Sequence, residues 1–255
     1  MQVVILAGGF GTRISEESQY RPKPMVEIGG RPILWHIMKY FSCWGHNEFI
    51  ICCGYKGYII KEFFSNYLLH NSDITLELKT NLIEYHENNA DDWKVTLVDT
   101  GENTMTGGRL KYIQKYINGD TFLATYGDGV SNIDISKLIK HHFYEDKIAT
   151  VTAVHPPGRF GSLELSGSNV EKFTEKPLGD GAYINGGFFC LNTEVFKYID
   201  GPETVWEAKP LEMLSQQKEL TAYRHDGFWQ PMDTIRDKYS LEQLWNSVQC
   251  PWKIW

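Results

Sequence analysis

The 255-residue sequence lacks the features that would mark it for a membrane, a nucleic acid or an oxidising compartment. No stretch reaches the ~18 consecutive apolar residues of a membrane helix. The start, Met1 to Gly9, has no basic region and is too short for a signal peptide. Lys and Arg number 25 against 32 Asp and Glu, a formal charge of −7, and no basic run interrupts the balance. Such a chain is a poor binder of nucleic acid or anionic lipid surfaces, although a local basic pocket stays open. Its five cysteines (Cys43, Cys52, Cys53, Cys190, Cys250) are odd in number and scattered, with no C-x-x-C pair. They read as buried thiols in a reducing cytoplasm, not as a zinc site. Repeats, low-complexity tracts and Pro/Gly/Ser-rich linkers are missing too.

What is present is a substantial apolar complement, 42% of residues with 14% aromatic, enough for a large core. Short apolar runs at Gln2–Leu6, Phe49–Cys53, Thr121–Thr125 and Ala149–Val154 read as buried strands. Between them, helical spacing runs through 32–44, 55–69, 109–117 and 136–144, while 74–98 reads as extended. This alternation predicts a Rossmann-like α/β fold, a mixed but mostly parallel sheet with helices on both faces. From Pro156 the texture changes to short strands and turns at 161–165, 170–174 and 184–191, which predict a small antiparallel embellishment. Helices near 194–199, 211–218 and 234–248 close the chain. One domain is expected: a nucleotide-binding part over about 1–155, a sugar-binding part over 156–233, and a C-terminal helix and tail over 234–255.

The first chemical feature is Leu6-Ala7-Gly8-Gly9-Phe10-Gly11-Thr12-Arg13. Three glycines let backbone N–H groups approach an anion, and Arg13 adds a fork of donors suited to phosphate. The loop is neither a dinucleotide fingerprint, which needs a further glycine where Ile14 stands, nor a P-loop, which ends in Gly-Lys-Ser/Thr. A tight turn after a strand would account for Gly8 and Gly9 but leaves Gly11-Thr12-Arg13 without a role. Pro22-Lys23-Pro24 then presents a lysine on a stiff segment, read equally well as a solvated loop residue. Asp128, between Gly127 and Gly129 after an apolar strand, sits where α/β sheets bind ligands, or else in a plain Asp-Gly turn.

Gly9-x-Gly11-Thr12-Arg13 followed by Pro22-Lys23-Pro24 resembles the signature of the sugar-1-phosphate nucleotidyltransferases. Where members making UDP-, ADP- or dTDP-glucose carry a Pro-Leu-Thr-like segment, this chain has Ser15-Glu16-Glu17-Ser18. With Met25 to Met38, Ile51 to Tyr58, Val98 to Gly101 and Met105 to Leu110, that departure resembles the glucose-1-phosphate cytidylyltransferases. Tyr126 to Gly129, Pro157 to Gly161, Ile184 to Phe189 and Gly227 to Thr234 extend the likeness over nearly the whole chain.

The resemblance implies transfer of CMP from CTP to α-D-glucose 1-phosphate, giving CDP-glucose and pyrophosphate. It implies Mg²⁺ on Asp128 and Asp233, with Arg13 and Lys23 neutralising the triphosphate and the leaving group. Arg13, Lys23 and Asp128 are thereby the catalytic candidates. Leu6, Ala7, Gly8, Gly9, Phe10, Gly11, Thr12 and Gly127 are implied around the nucleotide, and Thr104 and a Gly107-Gly108-Arg109 turn near base and ribose. For the sugar phosphate the matching positions are Gly161, Glu175, Lys176, Asn185 and Gly187; Glu175-Lys176 reads otherwise as a surface ion pair. Tyr126, Trp206 and Trp229 either line the sugar or belong to the core. The family forms homo-oligomers, and the aromatic end, Trp245 to Trp255, docks either on a partner or on its own domain. Dideoxysugar or surface-polysaccharide synthesis, lipopolysaccharide included, is the implied destination of the product. Rival readings are a uridylyl- or thymidylyltransferase, and a sugar-nucleotide-dependent glycosyltransferase. Against the latter stands Asp128-Gly129-Val130, which lacks the second acid of an Asp-x-Asp motif. A non-catalytic sensor is disfavoured because Arg13, Lys23, Asp128 and Asp233 are all present.

Overall fold

The computed structural model describes residues 1–156, 162–166, 168–174 and 183–255. Its centre is an eight-stranded sheet: β1 (Val3–Leu6), β2 (Glu48–Cys53), β3 (Lys94–Asp99), β4 (Thr121–Tyr126), β5 (Ala149–Val154), β6 (Ile184–Asn185), β7 (Phe189–Asn192) and β8 (Leu220–His225). Across the sheet, β8 pairs with β5, β5 with both β6 and β7, and β7 with β4; β1, β2 and β3 follow. All pairings are parallel except those made by β6 and β7. The chain leaves β1 for β2 on one side and reaches β4 on the other. The strand order therefore reverses beside β1, at the crevice where open α/β sheets bind ligands.

Alternation along the strands explains the layers. Val3 and Ile5 face one apolar core with Phe41, Ile60, Leu138 and Leu241, while Val4 faces a second with Leu110, Phe196, Trp206 and Leu214. Helices Ile33–Cys43, Gly57–Ser65, Ile135–Glu145 and Ile235–Trp245 supply residues to the first core. Thr106–Ile113 and Lys209–Gln216, with the 3₁₀ segment Thr193–Tyr198, supply the second. This is the mixed, mostly parallel three-layer fold that the sequence pattern predicts.

Several elements differ in detail. The helix expected over 55–69 breaks at Asn66 into Gly57–Ser65 and Tyr67–His70. The strand expected over 184–191 is interrupted at Gly186-Gly187-Phe188, and both pieces join the main sheet. There Gly187 and Phe188 both take positive φ, 72° and 47°, which no alternation of side chains reveals. The hairpin of Ser162–Ser166 with Asn169–Thr174 is separate and antiparallel. Strand β8 and the short pairing of Gly129–Ser131 with Trp229–Pro231 carry mixed polarity and were not legible in the pattern.

The aromatic end folds back on its own chain. Trp252 is fully buried, stacked on Phe228 and Trp245, and Trp255 meets Trp35 edge to face. His36 is enclosed by Trp35, Trp245, Trp252 and Trp255. The tail thus takes the intrachain alternative and gives no support of its own to an oligomer. Trp206 belongs to the core. Cys52, Cys53 and Cys190 are buried as expected, whereas Cys43 is exposed and Cys250 half-buried, and all five are free. No helix among the described residues is long and apolar enough to cross a membrane.

Candidate active site

The glycine-rich loop continues from the carboxyl end of β1, tied to both neighbouring strands. Ala7 N–H donates to Cys52 O (3.1 Å) on β2, and Leu6 O accepts from Gly127 N–H (3.0 Å) just beyond β4. Its glycines serve different purposes. Gly11 has φ 64°, and a Cβ there would lie 3.2 Å from the Cβ atoms of both Ser18 and Lys23. Gly8 admits the Arg109 guanidinium, which a Cβ would meet at 2.2 Å. Gly9 borders open space.

Arg109 was expected in a turn near base and ribose. It lies instead in the helix Thr106–Ile113, nearly buried, and its guanidinium is spent on the protein. It donates to Gly8 O (2.9 Å), Cys53 O (3.3 Å), Thr100 Oγ1 (2.7 Å), Gly101 O (2.7 Å) and Glu102 O (3.0 Å). Arg109 therefore braces the glycine loop against the ends of β2 and β3. Gly107 is a packing residue: a Cβ would approach Thr204 O to 2.7 Å.

The two acids, 105 positions apart, converge through a small sheet. Gly129 pairs with Pro231 and Val130 with Gln230, and Met232 N–H donates to Asp128 O (2.8 Å). Asp233 is then fixed ahead of a helix by a capping box. Asp237 Oδ2 accepts from Asp233 N–H (3.1 Å), Thr234 N–H (2.8 Å) and Thr234 Oγ1 (2.8 Å). The result is a pair of carboxylates that share the Lys23 ammonium. Lys23 Nζ donates to Asp128 Oδ2 (2.6 Å) and Asp233 Oδ1 (2.7 Å), and Arg13 to Asp233 Oδ2 (2.7 Å). Lys23 is nearly buried, whereas Arg13 is 70% exposed. Burial works against the Lys23 ammonium, but the Asp128 charge and the hydrogen bonds to both acids outweigh it and raise its pKa.

Arg13, Lys23 and Asp128 line a cavity of about 590 Å³, while Asp233 lines a neighbouring one with Trp229, Gln230 and Asp237. The wall of the first includes Leu6 to Arg13, Lys23, Thr104, Arg109, Tyr126, Gly127 and Asp128. It also includes the loop residues Glu102, Asn103, Met105 and Glu203, which carry no periodicity to mark them as site residues, and Thr106 at the start of its helix. Asn185 is joined to the wall through its Nδ2–H bond to Tyr126 Oη (3.2 Å). Gly187, at positive φ, leaves room for the Tyr126 ring, which its Cβ would meet at 2.9 Å. Trp229 is committed through Nε1–H to Gly186 O (2.7 Å). Gly161, Glu175 and Lys176 lie outside the described residues.

A family model, Nucleotidyl transferase, matches residues 2–237. The chain belongs to the nucleotidyl transferase family. Glucose-1-phosphate cytidylyltransferase of Salmonella typhi is 58% identical to this nucleotidyl transferase over 256 residues, covering the whole of both chains. A probable glucose-1-phosphate cytidylyltransferase of Bacillus subtilis is 43% identical, again over both complete chains. Among solved structures, HddC from Yersinia pseudotuberculosis complexed with GMP-PN superposes with a TM-score of 0.70 at 26% identity. That match covers 96% of this chain and 99% of the other.

Proposed function

We propose that the protein transfers CMP from CTP to α-D-glucose 1-phosphate, releasing pyrophosphate. The observation that carries the chemistry is the meeting of Asp128, Asp233, Lys23 and Arg13 beside the glycine-loop cavity, which all but Asp233 line. The choice of base and sugar draws on the whole-length likeness to the Salmonella typhi cytidylyltransferase.

An oxygen of the sugar phosphate attacks the α-phosphorus of CTP in line. A new P–O bond forms as the bond to the β-phosphate oxygen breaks and pyrophosphate leaves. The attacking oxygen is already anionic near neutral pH, so no general base is required. The obstacle is the repulsion between two polyanions, which positioning and charge neutralisation overcome. Backbone N–H groups of Gly8 to Thr12 receive phosphate oxygens, Arg13 contributes an exposed guanidinium, and Lys23 a nearly buried ammonium. Asn185 and Gly187 belong to the sugar side, together with Gly161, Glu175 and Lys176.

Asp128 and Asp233 fit a divalent cation, since carboxylate oxygens of both already converge on one ammonium. Two carboxylates suffice for Mg²⁺, which completes its shell with phosphate and water. Bound there, Mg²⁺ supplies charge neutralisation along the triphosphate. Lys23, whose ammonium lies between both acids, would stand beside that ion as a second positive charge for the phosphates. We place this activity in the cytoplasm, in a homo-oligomer, feeding surface-polysaccharide synthesis.

The test incubates the protein with Mg²⁺, glucose 1-phosphate and each of the four nucleoside triphosphates in turn, measuring pyrophosphate. Release with CTP well ahead of UTP and dTTP is expected. Equal efficiency with UTP or dTTP would overturn the cytidylyl assignment, and release of nucleoside diphosphate alone would overturn the reaction class.

A further inference from the structure

Beyond the residues already placed around nucleotide, metal and sugar lies a carboxylate that none of those roles uses. Glu207 follows the buried Trp206 and is itself exposed. Its Oε1 accepts from Tyr126 Oη–H (2.6 Å) and its Oε2 from Thr106 Oγ1–H (2.6 Å). Tyr126 stands at the end of β4, two residues before Asp128, and Thr106 opens the helix Thr106–Ile113; both line the main cavity. One side chain thus ties two walls of that cavity together.

The polarity of the network is fully determined. Gly187 N–H can only donate, so the oxygen end of the Asn185 amide faces it (2.9 Å). That places Asn185 Nδ2 against Tyr126 Oη (3.2 Å), where the amide must donate and the phenol oxygen must accept. The single phenolic proton is left to point at Glu207, a carboxylate that accepts and does not compete. A phenol, which ordinarily titrates at about pH 10, keeps that proton at neutral pH. With one Nδ2–H given to Tyr126, Asn185 retains a second for an outside acceptor. The Gly187 turn is itself held by the Tyr126 ring, against which a Cβ would clash.

We propose that Glu207 is a positioning residue for sugar recognition. It sets the direction of the Tyr126 hydroxyl and thereby locks the Asn185 amide with an N–H free for a hexose hydroxyl oxygen. This inference rests on the reading of Asn185 as a sugar-side residue. Removing Glu207 frees the Tyr126 hydroxyl to rotate its proton toward Asn185, and the amide loses its fixed partner. Thr106 keeps a second tie, accepting from Trp206 N–H (2.9 Å), so the nucleotide side of the cavity is expected to hold its shape.

The experiment measures steady-state pyrophosphate release for wild type, Glu207→Ala, Glu207→Gln, Tyr126→Phe and the Tyr126→Phe/Glu207→Ala double variant. CTP and glucose 1-phosphate are varied separately, and galactose 1-phosphate is run beside the glucose epimer. Loss of one such oriented hydrogen bond corresponds to about tenfold in KM for glucose 1-phosphate. That rise is expected in Glu207→Ala and in Tyr126→Phe, with no further rise in the double variant, because the two residues act in one chain of bonds. KM for CTP stays within about twofold, discrimination against the galactose epimer weakens, and Glu207→Gln recovers most of the loss, since its amide oxygen still accepts the Tyr126 proton. An unchanged KM for glucose 1-phosphate in Glu207→Ala would overturn the proposal. So would a rise in KM for CTP of the same size, or additive effects in the double variant. Wild-type turnover separates the two levels. If wild type releases no pyrophosphate from CTP and glucose 1-phosphate, the proposed function fails and this inference with it. If wild type is active and Glu207→Ala behaves as wild type, only this inference falls.

Discussion

At the scale of single residues, charge placement decides what Asp128 and Arg109 can do. Asp128 is held to Lys23 at 2.6 Å and shares that ammonium with Asp233. Asp128→Asn keeps the shape but removes a charge, leaving Asp233 as the one carboxylate of the pair. With the neutralising charge gone from a sheltered site, kcat is expected to fall at least about 100-fold. Circular dichroism should be unchanged, and a normal rate at saturating Mg²⁺ would remove Asp128 from the metal role. Arg109 differs in kind, because its donors go to four carbonyls and a hydroxyl inside the protein. Arg109→Met therefore reads as a stability lesion. Gly101 O and Glu102 O lose a charged donor, and about 3 kcal/mol is expected to be lost in urea unfolding. A variant with wild-type stability but poor CTP binding would instead make Arg109 a ligand of the nucleotide. Sequence reasoning placed both residues near the site, yet it had no means of telling a cation facing the cavity from one facing the protein.

At the scale of elements, the interrupted strand β6/β7 matters most. Two successive residues in the left-handed region, Gly187 and Phe188, turn the chain beneath Tyr126 and carry Asn185 to the cavity. Strain of this kind persists where surrounding contacts enforce it, and it gathers at binding sites. Gly187→Ala combines an unfavourable φ with a Cβ 2.9 Å from the Tyr126 ring. A loss of about 1–3 kcal/mol in thermal or urea unfolding is expected, together with a raised KM for glucose 1-phosphate and a smaller change for CTP. A Gly187→Ala protein with unaltered sugar-phosphate KM would mean that this turn does not shape the sugar side. The apolar run of 184–191 announced a strand; the break was hidden because its cause is a ring from β4, sixty residues away in the chain.

At the scale of the whole molecule, the C-terminal tail closes over His36. Nε2 of that ring lies 2.7 Å from Ile28 O, four tryptophans surround it, and burial lowers its pKa from 6.5 to about 4. The folded pKa lies below the unfolded one, so between these values the unfolded chain binds more protons. Acid therefore favours unfolding across the window from pH 6.5 down to 4. Between pH 7 and pH 5 this group should cost about 2 kcal/mol of stability. Urea titrations at the two pH values check it against His36→Asn, in which the pH dependence is expected to flatten by that amount. Identical dependence in both proteins would show that the tail does not shield the ring.

The sequence by itself determined most of the alternation of strands and helices, the glycine loop, the stiff Pro22-Lys23-Pro24 segment and the type of chemistry these can support. Each is a local matter of apolar period, backbone freedom or motif spacing, which neighbouring residues write directly into the chain. Only the tertiary structure decided which groups meet. Asp128 and Asp233 are brought together by the pairing of Gly129–Ser131 with Trp229–Pro231; Arg109 is turned inward by Gly8 and Gly54, neither of which leaves room for a Cβ. The tryptophan tail is claimed by His36, and Glu207 is joined to Tyr126 across 81 positions. Contacts between distant segments depend on sheet order and on the space left between layers, and no short window of sequence carries either.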